Sequence, residues 1–314
     1  MLRLLIRRIL YAIPILLGVS AIIFSLVHLA PGDIADLLIP PEASKEVADA
    51  LRARFGLDRP VLEQYFVWLG NLLQGDLGVS LFTNRPVAQD LVSALGNTLL
   101  LAIPAALLGF GLGIALGTLA AFQQGKWLDK LFSGIAIAGV SLPHYWVGIV
   151  LVTIFAVIFN VLPAQGMGPS GAGLSWASIS HYVLPTITLS LIPMGVVSRV
   201  TRSTVLDILG QDFIDTLEVK GLRSRRILFH IMKNAAPTIL AIMGLQFGYL
   251  LGGSILVETV FNWPGSGNLI NLAIFRRDIP VLSATILVLA AIFVVLNIIV
   301  DVMQAMIDPR LRRK

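Results

Sequence analysis

Six apolar runs, at 9–29, 98–122, 131–159, 183–200, 239–257 and 281–306, constrain this chain more than any other feature. A run of about 20 such residues crosses the hydrocarbon layer as a helix, because lipid offers backbone N–H and C=O groups no partner. The expected fold class is therefore an all-α integral membrane protein with six transmembrane helices. Composition agrees: 56% of residues are hydrophobic, 13% are charged and the mean hydropathy is +0.86, whereas a soluble domain carries roughly a quarter charged residues. The first run follows Arg3, Arg7 and Arg8, is too long for a cleaved signal and precedes no small-residue cleavage pattern, so it reads as a retained span.

Charge sets the expected topology. With both termini cytoplasmic, the N-terminal arginines, Lys126, Lys130, the basic residues from Arg199 to Lys233 and those from Arg310 to Lys314 all lie inside, 16 of the 23 basic residues. The pI near 9.7 thus reflects membrane topology and points to no nucleic-acid partner. The chain reads as one membrane domain, 1–314. It comprises a first span at 1–29, an external segment at 30–96 and a five-span core at 97–314 with a cytoplasmic loop at 203–237. The external segment carries nine acidic and five basic residues. Helical spacing at 42–55, a second helix opening at Pro60 and a turn at 75–80 make it either a cap over a pore mouth or a docking surface for an external protein. The uncharged, Gly- and Ser-rich stretch 162–180 reads as an irregular lid, and Asn262-Trp-Pro-Gly-Ser-Gly267 as a turn cluster.

The cytoplasmic loop is an amphipathic island between apolar runs. Asp212 can cap a helix whose first turn also holds Asp215, Lys220 stands at the negative end, and Gly221 supplies a left-handed stop. Phe213, Ile214 and Leu217 share one face. A second helix starts at Ser224, with Ile227, Leu228, Ile231 and Met232 opposite Arg225, Arg226 and Lys233. Either an elbow of this kind couples the membrane core to a partner, or its arginines lie on lipid headgroups; Asp212, Asp215 and Glu218 weigh against an anionic leaflet.

Prolines at 104, 143, 185 and 193 remove backbone donors within or beside spans and permit kinks. The third run, interrupted by Ser141-Leu-Pro-His-Tyr-Trp146, is the candidate lining of a translocation path: Ser141, Pro143, His144, Tyr145 and Trp146, with packing or interface anchoring as the alternative for the two aromatics. Glu258 joins this set as a carboxylate near the outer end of the fifth span, with a solvated helix-end role as its alternative. Gly109, Gly113 and Gly117 form a small-residue face suited to close helix packing.

Catalytic chemistry is not legible. The four histidines are scattered, no cysteine is present, and no metal-ligand spacing, phosphate loop or nucleophile elbow occurs. The chain is expected to bind no cofactor and no metal and to be no enzyme, so any ATP dependence resides in a partner. Ionisable residues inside spans are few, with Glu258 and Asp301 the only acidic candidates for holding a coupling ion, which weakens an ion-coupled secondary carrier as the competing reading.

The sequence resembles the permeases of bacterial ABC importers for dipeptides, oligopeptides, glutathione and nickel, specifically the first of their two permease subunits. The likeness runs nearly end to end: Arg7-Arg8, Pro31-Gly-Asp33, Phe55-Gly-Leu-Asp-Arg-Pro60, Gly75-Asp-Leu-Gly78 with Ser80, Ser141-Leu-Pro143 with Trp146, Leu162-Pro-Ala164, Leu184-Pro185, Arg199 with Arg202, and Lys220-Gly-Leu222. Glu258-Thr-Val-Phe261, Trp263-Pro-Gly265, Arg277-Asp278 and Asp308-Pro-Arg310 continue it. The family's cytoplasmic loop motif falls on Asp215, Thr216, Leu217 and Gly221. This chain departs from the common pattern at Leu217 and Glu218, and at His144-Tyr145.

The resemblance implies a type I ABC importer permease fold in the bacterial inner membrane. It also implies pairing with a homologous second permease, two ATPase subunits that bind ATP and Mg²⁺, and an external solute-binding protein. Asp212, Phe213, Asp215, Thr216, Leu217, Glu218 and Gly221 are the implied ATPase-coupling residues, with Phe213 and Leu217 as an apolar knob for a partner's groove. Peptides are the expected cargo, with glutathione, nickel chelates, opines or sugars as alternatives.

Overall fold

Proline, glycine and charge mark where the apolar runs become helices and where they stop. The computed structural model describes residues 2–29, 45–46, 58–169 and 175–307; the helix expected at 42–55, apart from residues 45–46, and the Asp308-Pro-Arg310 motif lie outside these. The helices are α1 (Leu2–Leu29), α2 (Val61–Leu73), α3 (Val87–Phe122), α4 (Trp127–Ser141), α5 (His144–Leu151), α6 (Trp176–Leu209), α7 (Asp212–Val219), α8 (Ser224–Gly253), α9 (Ile255–Val260), α10 (Ser266–Arg276) and α11 (Ile279–Ile307). Five of them, α1, α3, α6, α8 and α11, contain stretches long and apolar enough to cross a membrane, and α4 with α5 forms a sixth, bent candidate.

The third apolar run is broken where Pro143 stands. Proline cannot donate to the carbonyl of Gly139, and it disfavours a helical residue before it. Leu142 accordingly takes an extended ψ of 134°, and Pro143 caps α5 with ψ 115°. The two halves diverge by 98°. Beyond α5 the backbone widens into a π-helical segment, Val152–Ile158. Pro104, Pro185, Pro193 and Pro237 are instead carried inside continuous helices. The amphipathic helix expected at Ser224 and the fifth span are one such continuous helix, α8.

Two compact units divide the chain. One contains residues 95–268 and 295–314 with the first six residues. Its centre is α6, against which α4, α5, α8 and α9 pack. Small residues allow the approach: a Cβ on Gly109 would lie 2.7 Å from the Ser190 carbonyl oxygen, and one on Gly113 would lie 2.8 Å from that of Met194. The glycine face of α3 is thus the surface that meets α6, as its spacing predicts. A Cβ on Gly148 would crowd Phe261 and Thr188 at 3.1 and 3.2 Å, so α5 sits against α6 and α9 by the same device.

The second unit contains residues 7–94 and 269–294. Phe24 of α1 stacks with Tyr65 and Trp68 of α2, and the Ser20 and Tyr65 hydroxyls are 2.8 Å apart. The Ser80 hydroxyl donates to the Asp278 carboxylate, which also accepts the Leu81 N–H at 3.2 Å. Two motifs almost 200 residues apart in the sequence, Gly75–Ser80 and Arg277–Pro280, therefore meet. Val87, Ala273, Val281 and Ala284 form the apolar core beside them.

Candidate functional site

The cytoplasmic elbow is built from α7 and the start of α8. Gln211 occupies the cap position of α7 with no side-chain hydrogen bond, so Asp212 begins the helix instead of capping it. Asp212 and Asp215 still lie in the first turn, where the partial positive charge of the exposed N–H groups favours carboxylates. At the other end Gly221 takes φ 72°, its N–H reaches the Glu218 carbonyl at 2.8 Å, and Leu222 N–H reaches that of Leu217 at 3.2 Å. This pair of bonds closes the helix as a Schellman motif, for which only a residue tolerant of positive φ serves.

Phe213 and Leu217, expected as a knob for a partner, lie partly against the chain's own core. Ile214 is 3% exposed and sits in a cluster with Ala121, Val205, Ile208, Ile231, Ala235 and Ile239, and the half-buried Phe213 and Leu217 pack against the same cluster. Part of the apolar side thus packs on α3, α6 and α8 of the same chain. What faces outward is Asp212, Asp215, Thr216, Glu218 and Val219, the last 88% exposed. The helix is therefore fastened to the membrane core by its apolar side and offers an acidic side. None of the three carboxylates has an ion-pair partner among the described residues.

Of the six translocation candidates, five line the break between α4 and α5. Ser141, Pro143, Tyr145 and Trp146 are exposed there and His144 is half-buried. Glu258 stands apart from them. It is fully buried in α9, and its carboxylate accepts the Thr98 hydroxyl at 2.9 Å, the Ser254 hydroxyl at 2.8 Å and the Asn268 N–H at 2.9 Å. The loop Asn262–Gly267 folds over it: a Cβ on Gly265 would lie 2.5 Å from the carboxylate and one on Gly267 2.9 Å. The fully buried Trp263 closes the side, donating its indole N–H to the Asn97 carbonyl at 2.9 Å. In this arrangement Glu258 organises the loop.

A further pair was not read from the sequence. Arg202 of α6 grips Asp129 of α4 with two bonds, Nε to Oδ1 at 2.7 Å and Nη2 to Oδ2 at 2.8 Å. Gly125 N–H and the Ser133 hydroxyl complete the carboxylate's partners at 3.0 and 3.3 Å. A fork-on-carboxylate contact fixes angle as well as distance, so it locks the start of α4 to the end of α6. Asp129 was hidden among Lys126 and Lys130; its one signal is an acidic residue in an otherwise basic connection.

Nothing in the described residues groups three metal-binding side chains. The chain matches the family model described as binding-protein-dependent transport system inner membrane component over residues 113–313, and the N-terminal model of that membrane component over residues 1–102. The glutathione transport system permease protein of Escherichia coli (strain K12) is 39% identical over 315 residues, covering 100% of both chains. The dipeptide transport system permease protein of Alkalihalophilus pseudofirmus is 39% identical over 326 residues, covering 98% of each. Fold, span number and full-length relationship converge: the chain belongs to the inner-membrane components of binding-protein-dependent transport systems, as a non-catalytic, multi-pass permease.

Proposed function

We propose that this permease moves di- and oligopeptides across the bacterial cytoplasmic membrane by alternating access, as one half of an ATP-driven importer. The observation that carries the reading is the end-to-end identity with a dipeptide permease. A homologous second permease forms the other half of the path, and an external binding protein delivers cargo. Two ATPase subunits, which hold the ATP and Mg²⁺, engage the cytoplasmic side at α7. Its acidic outer face supplies the docking contacts, with Asp212, Asp215, Thr216 and Glu218 touching the ATPase, while Phe213, Leu217 and Gly221 hold the helix to the core. Closure of the ATPases pushes α7, and the shared cluster around Ile214 transmits the push to α3, α6 and α8. Ser141, Pro143, His144, Tyr145 and Trp146 flank the path at the helix break.

Glutathione is the second reading, favoured by the equal identity to a glutathione permease; it is itself a tripeptide. The assay is reconstitution of the complete transporter with each candidate cargo, measuring ATP hydrolysis stimulated by the loaded binding protein. Gly221→Pro, which removes the donor that closes α7, and Asp215→Lys, which reverses charge on its outer face, are expected to abolish stimulation. Stimulated hydrolysis that survives both changes would sink the coupling assignment, and uptake by this chain alone on an ion gradient would replace it with a secondary carrier.

A further inference from the structure

A cavity of about 270 Å³ with largely apolar walls lies between α4 and α6; its polar groups come from Ser133 and Ser141 of α4 and from Ser198, Arg199, Arg202 and Ser203 of α6. Its lining carries four hydroxyls and two guanidinium groups and no acidic side chain. Arg202 is already matched by Asp129, and the Ser133 and Ser203 hydroxyls are turned to Asp129 and to the Val200 carbonyl. Three donors remain. Arg199 and Ser141 have no hydrogen-bond or ion-pair partner among the described residues, and neither has Ser198, although Ser198 is only 2% exposed. The Ser198 hydroxyl is not among the enclosed unmatched atoms, so it opens to the cavity, and Arg199, which is exposed, stands at the edge of a span, where a cation faces water or a polar ligand in preference to lipid.

We propose that this cavity receives a carboxylate of the cargo, held by Arg199 with Ser198; the proposal rests on the peptide-importer reading. The net charge of the lining, with Arg202 neutralised, is a single positive one, which matches a monoanionic carboxylate. The guanidinium fork presents two parallel donors to its two oxygens. Ser133 and Ser141 lie eight residues apart on α4, about 12 Å along the helix, so the cavity is elongated and accepts the extended end of a peptide.

The experiment compares alanyl-alanine with its C-terminal amide in proteoliposomes holding the complete transporter, each cargo loaded on the same binding protein. The selectivity of the binding protein then cancels in the ratio of wild-type to variant rates. For Arg199→Gln this ratio is expected to be about 10 for the peptide and about 1 for the amide, the loss of one charged hydrogen-bonding contact. Arg199→Lys should restore part of it, and Ser198→Ala should shift it in the same direction by less. If Arg199→Gln fails to assemble, Ser198→Ala carries the comparison. Equal ratios for both cargos overturn the proposal. A loss that appears in phosphatidylglycerol vesicles and vanishes in phosphatidylcholine also overturns it, assigning the cavity to a lipid phosphate. Failure of the importer reading looks different: the wild-type complex then shows no ATP-dependent uptake of either compound, and both readings fall.

Discussion

Glu258→Gln isolates what the buried carboxylate does, because the change keeps the shape and replaces one acceptor by a donor. If the amide oxygen keeps the Thr98 and Ser254 hydroxyls, the amide NH₂ faces the Asn268 N–H across the 2.9 Å now spanned by a hydrogen bond. Two donors then oppose each other, and a buried backbone N–H loses its partner. In the flipped orientation the amide oxygen keeps the Asn268 N–H, but the NH₂ is accepted only if the Thr98 and Ser254 hydroxyls both turn from donating to accepting, Thr98 redirecting its own proton to Ser266. One orientation leaves a buried donor unmatched and the other forces the surrounding hydrogen bonds to rearrange, at about 1–3 kcal/mol, or a fall in melting temperature of about 3–10 °C. The chain has no cysteine, so a single Val257→Cys, at a fully buried neighbour, provides a thiol that reacts with a maleimide dye only on unfolding. Gly265→Ala, whose new methyl would lie 2.5 Å from the Glu258 carboxylate, should lower the midpoint in the same background. An unchanged midpoint for Glu258→Gln would refute the organising role. Lost transport with an unchanged midpoint would put the carboxylate in the path.

Three further outcomes follow from the packing. Gly113→Leu should abolish folded expression, since its Cβ would approach the Met194 carbonyl to 2.8 Å, while Gly111→Ala, with nothing within 4 Å, should leave the yield of monodisperse protein unchanged. Asp129→Asn should lower the melting temperature through the loss of about 2 kcal/mol of charged hydrogen bonding, and a second change, Arg202→Met, should recover part of it in the same dye assay. A double-mutant cycle of Ser80→Ala and Asp278→Asn should return a coupling of about 1–3 kcal/mol; additive melting shifts would show that their contact contributes nothing.

The spans were legible because hydropathy is a local property, yet the apolar run marks the membrane and not the helix: the run at 98–122 belongs to a helix from Val87 to Phe122, and that at 183–200 to one from Trp176 to Leu209. Pro143 and Gly221 were legible for a related reason, since each acts on its own backbone. The inward turn of Phe213 and Leu217 was not, because amphipathicity says that a face will be covered and not by whom. Polar pairings were least legible. Asp129 and Arg202 are 73 residues apart and Thr98 and Glu258 160, and only the packing of α4, α6 and the Asn262–Gly267 turn brings them within bonding distance.

The break at Leu142 and Pro143 has a consequence for how a newly made subunit meets its surroundings. A 98° bend ends the hydrogen-bond ladder of α4 before that of α5 begins, so the last carbonyls of one helix and the first amides of the other lack partners within their own helices. Acyl chains supply no partner for such groups. The subunit is therefore unequal around its circumference: one sector is intolerant of lipid and must be hydrated or covered by a companion chain. A copy without its companions therefore leaves the unpaired groups of this break to water.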